Sequence, residues 1–224
     1  MNINDFNCQF YEKLEAKLSC ENYVFKKSKK IFEYNKDGHI FTLEAFTVRM
    51  SSAIIVKING FYSSEKFNNL IKRFLDQYYS IQTKYITGGS AAFISEYFFN
   101  EKFINDTNDF WWYEGEESID SIVEKWYEVY FKYLKPFLNK CKDINFLNKL
   151  INEYKIDECG FIAGGYNNRV LKGLILAYMA DNPIDKIESL ALSYETVIRN
   201  KKLSFLKSYL TVKNKFIDYI KLHK

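Results

Sequence analysis

The chain has 224 residues, of which 47% are hydrophobic and 18% aromatic, and it carries a formal net charge of +4; a chain of this size buries a substantial core. Its longest apolar runs, Ala53 to Val56 and Leu174 to Met179, fall far short of the roughly 20 residues that a membrane helix needs, so the composition predicts a soluble protein with no membrane partner. The charge is uneven: Arg199 to Lys224 holds eight Lys or Arg and one Asp, net +7, which leaves −3 for everything before it.

The opening Met1-Asn2-Ile3-Asn4-Asp5 has neither a basic nor an apolar run, which points to a cytoplasmic location. Ile3, Phe6, Phe10, Leu14 and Leu18 then recur every three or four positions, the period of one helix face. Next, Lys30 to Asn35 and His39 to Arg49 flank Asp37-Gly38, a dipeptide suited to the positive φ angles of a two-residue hairpin turn. That turn sets Tyr34 opposite Phe41 and Phe32 opposite Leu43, with all four on one face. Ala53 to Phe61 predicts a third strand. The meander is expected to turn Phe32, Tyr34, Phe41, Leu43, Ile54, Val56 and Ile58 toward helices.

Ser64 reads as the N-cap of a helix whose stripe is Phe67, Leu70, Ile71, Phe74, Leu75 and Tyr78, and which covers a sheet face. One or two further strands are expected between Ile81 and Tyr113. From Ser118 the pattern is helical almost to the end. A first helix through Ile119, Ile122, Val123, Trp126, Tyr130 and Phe131 should be broken or kinked by Pro136. Others are expected at about Asp143 to Tyr154, Asn167 to Ala180, Ile184 to Arg199 and Leu203 to Leu222, with a helical hairpin at Asp181-Asn182-Pro183. The fold class is α+β: an antiparallel meander sheet covered by helices in residues 1–155, and an all-helical C-terminal third, residues 156–224, packed with it as one structural unit.

Four segments carry residue types that chemistry uses. Gly88-Gly89-Ser90 with Asp106 and Asp109 follows the nucleotidyltransferase arrangement, in which a Gly-Ser at a helix start holds triphosphate and two carboxylates bind metal ions. Two carboxylates on one face of a strand need a separation of two, not three, so a turn and a solvated loop are the preferred reading. Gly160 and Gly164-Gly165 lead into Asn167-Asn168-Arg169, where a helix start and Arg169 are suited to an anion; the spacing is not that of a phosphate loop. Glu114, Glu116, Glu117 and Asp120 follow two tryptophans, but acidic residues belong at a helix start, where they complement its dipole. Basic residues of the tail, Lys207, Lys213, Lys215 and Lys221 among them, suit phosphates; with Leu206, Leu210, Phe216, Ile217 and Ile220 as a buried side, a solvated helix face is preferred.

Neither His39 nor His223 has an evident orienting partner. Cys8, Cys20, Cys141 and Cys159 form no C-x-x-C pair and read as reduced core residues. No cofactor, metal site or catalytic residue is predicted.

Phe110-Trp111-Trp112, a helix, Leu134-Lys135-Pro136-Phe137-Leu138, then Phe146-Leu147 and a further helix resemble a bacterial family of domains of unknown function, the one numbered 4304. The N-terminal helix, the Lys-rich approach to a strand around Ile31 to Tyr34 and the meander ending at Ile54 to Phe61 agree in order, so the similarity covers roughly residues 1 to 155. It implies an α+β bacterial cytoplasmic protein and carries no activity or site residues. The sequence thus favours a non-enzymatic protein that binds another protein, an adaptor or immunity-like protein, through aromatic surface. The alternatives are a nucleotide-using enzyme, with Asp106, Asp109, Gly89, Ser90 and Arg169 as its site, and nucleic-acid binding through the C-terminal helix.

Overall fold

The first helix, α1 (Ile3–Ser19), starts where Asn2 accepts hydrogen bonds from the amides of Asn4 and Asp5, each at 2.9 Å, satisfying donors that have no partner inside a helix. A computed structural model describes residues 1–74, 85–101, 110–153 and 165–223. The chain divides into two units, Met1–Tyr62 with Gly88–Lys140 and Ser63–Thr87 with Cys141–Lys224. The anticipated boundary near residue 155 separates one continuous segment from another; these units are each built from two segments. The fold is α+β.

In the first unit, β1 (Val24–Lys26), β2 (Ile31–Lys36), β3 (His39–Met50) and β4 (Ala53–Ser64, its last two residues in the second unit) follow one another in an antiparallel meander. Asp37 and Gly38 both take positive φ, 53° and 75°, as a type I′ turn requires. The register is the expected one: Phe32 lies opposite Leu43 and Tyr34 opposite Phe41. Helix α1 buries Phe6, Phe10, Leu14 and Leu18 completely, about 1.5–3 kcal/mol of hydrophobic stabilisation for each. Its Tyr11 ring stacks on Phe25 at 5.2 Å, and Phe25 on Phe32 at 4.6 Å, so the face carrying Phe32 is the one that meets helices.

Two more strands lie where they were expected, β5 (Thr87–Ser90) and β6 (Phe110–Tyr113), and both pair with β4. β6 runs antiparallel along its first half, Ile54 opposite Tyr113 and Lys57 opposite Phe110. β5 approaches Gly60 and Phe61 so closely that a Cβ on Gly88, where φ is +150°, would overlap the Gly60 carbonyl and lie 2.7 Å from the Phe61 Cα. Ser90 then caps α3 (Ala91–Phe99) through its hydroxyl, 3.3 Å from the Phe93 amide.

The helix from Ser118 departs from expectation at Pro136. α4 (Ile119–Val129) passes through a π-helical turn, Tyr130–Leu134, straight into α5 (Lys135–Lys140), which contains Pro136. The wider turn sends the Lys135 amide to the Tyr130 carbonyl. Shifting the ladder by one residue relieves the clash and the lost bond that proline brings to a helix interior, so the chain continues instead of stopping.

The second unit is helical. Ser64 caps α2 (Glu65–Ile71), its hydroxyl 3.2 Å from the Phe67 amide; Leu75 and Tyr78, expected on the same stripe, fall outside the described residues. This helix belongs to the same unit as the C-terminal helices, and Phe74 just beyond it meets Phe216 and Tyr219 edge-on at 5.1 and 5.2 Å. α6 (Ile144–Asn152), α7 (Tyr166–Met179), α8 (Ile184–Asn200) and α9 (Leu206–His223) follow, with Pro183 capping α8 after the short link. The buried stripe of α9 is Tyr209, Val212, Phe216 and Ile220, so of the expected set Leu206, Leu210 and Ile217 are only half-buried. Tyr209 is accommodated because its hydroxyl donates to the Ala191 carbonyl at 2.7 Å, giving the polar end of a buried aromatic its partner.

Candidate protein-binding surface

Each segment singled out for chemistry has a local structural role where it is described. Gly88 permits the close approach of β5 to β4, and Gly89-Ser90 leads from strand to helix cap. Asp106 and Asp109 lie outside the described residues, as do Gly160, Gly164 and Cys159.

Arg169 is buried, 4% exposed, and its Nη2 donates to the Asn152 carbonyl at 3.0 Å, at the C-terminal end of α6. Lys172, one turn on, is 3% exposed, and burial lowers its pKa to about 8. Asn152 is the centre of a polar node: its amide donates to Asn148 Oδ1 at 2.7 Å and to the Gly173 carbonyl at 3.1 Å, and it accepts from the Tyr194 hydroxyl.

The acidic run does what a helix start asks. Ser118 caps α4, Asp120 pairs with Lys13 at 2.6 Å, and Glu117 pairs with Lys125 at 2.6 Å, a hydrogen bond that holds its carboxyl below the usual range. In the tail, Arg199 and Lys213 both meet Glu195, at 2.7 and 2.6 Å, and Lys221 meets Glu188 at 2.7 Å. Charge neutralised this way is not available to phosphates.

Two expectations need correction. His39 does have an orienting partner: its Nδ1 lies 2.6 Å from the Tyr62 hydroxyl, across the β3–β4 hairpin. His223 stacks on Tyr219, its Nδ1 2.8 Å from the Tyr219 carbonyl. Of the cysteines only Cys141 is a core residue among the described residues; Cys8 and Cys20 are exposed free thiols, because Cys8 falls off the buried stripe of α1 and Cys20 just past its end.

The outer half of β3 is an exposed part of the sheet. Its pairing with β2 ends where Glu44 meets Ile31, and Lys30, at φ 52° in the left-handed region, turns the chain away. Residues Ala45 to Met50 therefore have no strand on that side among the described residues. Alternation divides them between two faces. One face meets α1: the Tyr11 hydroxyl donates to the Ala45 carbonyl at 2.6 Å, and Thr47 Oγ1 to Asn7 Oδ1 at 2.6 Å. Burial pushes the Tyr11 pKa up to about 12, which keeps that donor protonated. The other face carries Phe46, Val48 and Met50, with exposures of 47%, 37% and 51%.

Sequence reasoning did not single out these three residues. The signal was present as a mismatch in length, since the apolar alternation after Asp37-Gly38 continues well past the point that Lys30 can face.

Among the described residues no group of His, Cys, Asp and Glu is placed to hold a metal ion, and no helix is long and apolar enough to cross a membrane. No family model matches the chain, and no curated protein or solved structure is significantly similar to it.

Proposed function

We propose that this is a non-enzymatic protein-binding protein, of the adaptor or immunity-like kind, whose contact surface is the outer half of β3. The observation that carries the reading is the apolar row Phe46, Val48 and Met50, exposed on a strand whose neighbouring position is open among the described residues. An open, apolar strand edge is a liability unless something covers it, and natural sheets blunt such edges with proline, bulges or several charges. Ala45 to Met50 has no proline and one charge, Arg49. The ion pairs of α9 favour a protein over a nucleic acid as partner.

The test is a photo-crosslinker placed at Phe46 in cells of origin, with one at Lys142, exposed and on the second unit, as control. A discrete crosslinked protein at Phe46, lost when Val48 and Met50 are changed to Ser with unaltered circular dichroism, is the expected outcome. Identical crosslinking patterns from the two positions refute the assignment.

A further inference from the structure

We infer that the occupant of this edge is an extended, acidic segment of the partner, added to the sheet as a further strand; the inference rests on the contact surface proposed above. The position left open among the described residues lies in line with β2. Six residues, Ala45 to Met50, offer about 20 Å of strand, the common length of a strand in a globular protein. Added strands bind through the backbone, and alternate side chains give them specificity. Here one face of the added strand would meet Phe46, Val48 and Met50, and the other would lie beside Ala45, Thr47 and α1, which calls for an alternating apolar and small or polar sequence.

Charge selects the acidic character. β1 and β2 are joined through a short 3₁₀ turn (Lys27–Lys29), and Lys26 pairs with Ile31, the last residue of β2 to face β3. The run Lys26-Lys27-Ser28-Lys29-Lys30 therefore lies where the vacant position begins, and all four lysines are exposed. None of them enters an ion pair among the described residues. Five other lysines of the same unit, Lys13, Lys17, Lys125, Lys132 and Lys135, each meet a carboxylate within 2.7 Å. Four like charges in five residues repel one another until a counter-charge arrives, so carboxylates at the end of the strand that abuts this turn gain from all of them. A second copy of the chain fits less well, because Ala45 to Met50 contains no carboxylate to offer.

The experiment uses fluorescein-labelled ten-residue peptides alternating valine and threonine, ending in four glutamates or in four lysines, and an acidic version N-methylated at alternate amides. Polarisation should show saturable binding of the acidic peptide alone, weakened by salt and lost on N-methylation. Replacing Lys26, Lys27 and Lys29 by Ser and Lys30 by Asn should weaken it about tenfold, as four exposed pairs imply. Equal binding of acidic and basic peptides, indifference to N-methylation, binding of neither peptide, or self-association through Phe46 overturns the acidic strand. A Phe46 crosslink that persists through any of these leaves the contact surface standing with a different occupant, whereas loss of that crosslink removes both.

Discussion

Gly173 lies in the middle of α7, where replacing glycine by alanine ordinarily stabilises a helix by about 1 kcal/mol. Here the opposite is expected. A Cβ at this position would overlap Asn152 Oδ1 and the Tyr194 hydroxyl and lie 3.2 Å from Tyr194 Cζ. These are the atoms of the node that joins α6, α7 and α8: the Asn152 amide bonds to Asn148 and to the Gly173 carbonyl, and the Tyr194 hydroxyl bonds to Asn152.

Moving Asn152 aside disrupts two or three hydrogen bonds at about 1 kcal/mol each and leaves polar atoms short of partners, a further cost of about 1 kcal/mol or more. Against the helical gain, Gly173→Ala should therefore destabilise the protein by about 2 kcal/mol, a fall in melting temperature of about 4–8 °C for a chain of this size. Urea unfolding followed by circular dichroism and a thermal scan measure it. In a Tyr194→Phe background, which removes the hydroxyl the new methyl would strike, the penalty should shrink by about 1 kcal/mol. A Gly173→Ala protein more stable than the parent would show that helix propensity, not the node, governs this position.

Gly88→Ala meets backbone, which cannot swing away, and adds strain at φ +150°; it should cost about 3 kcal/mol and lower the protease resistance of the first unit, and an unchanged urea midpoint would refute the close approach. Lys172, its pKa lowered by burial to about 8 from the 10.5 of a lysine in water, binds fewer protons folded than unfolded between those two values. Its unfavourable contribution is therefore complete below about pH 8 and fades as pH rises toward 10.5. Lys172→Met should flatten the rise of stability between pH 8 and 10.5; identical pH profiles for variant and parent would refute this.

The sequence by itself determined the elements whose causes are local. Ser64 and Ser118 cap helices because a side-chain oxygen reaches an amide three residues on, and Asp37-Gly38 sets the β2–β3 register because two adjacent positive φ angles allow one kind of turn. The apolar period of α1 likewise named Phe6, Phe10, Leu14 and Leu18, though not the buried Tyr11, and it included Ile3, which is only half-buried. What only the tertiary structure decided depends on which distant segments meet. Nothing local assigns α2 to the helices of the second unit, or distinguishes the Lys213 that reaches Glu195 from a lysine left in water. Pro136 inside a continuing helix required a shifted ladder, and the embedding of Cys141 against the exposure of Cys8 required knowing which side of each helix is covered. The open edge of β3 is of the second kind too: its alternation is written in the sequence, but its exposure follows from β2 ending first and from α1 covering the opposite face, and burial is a property of what a residue packs against rather than of the residue.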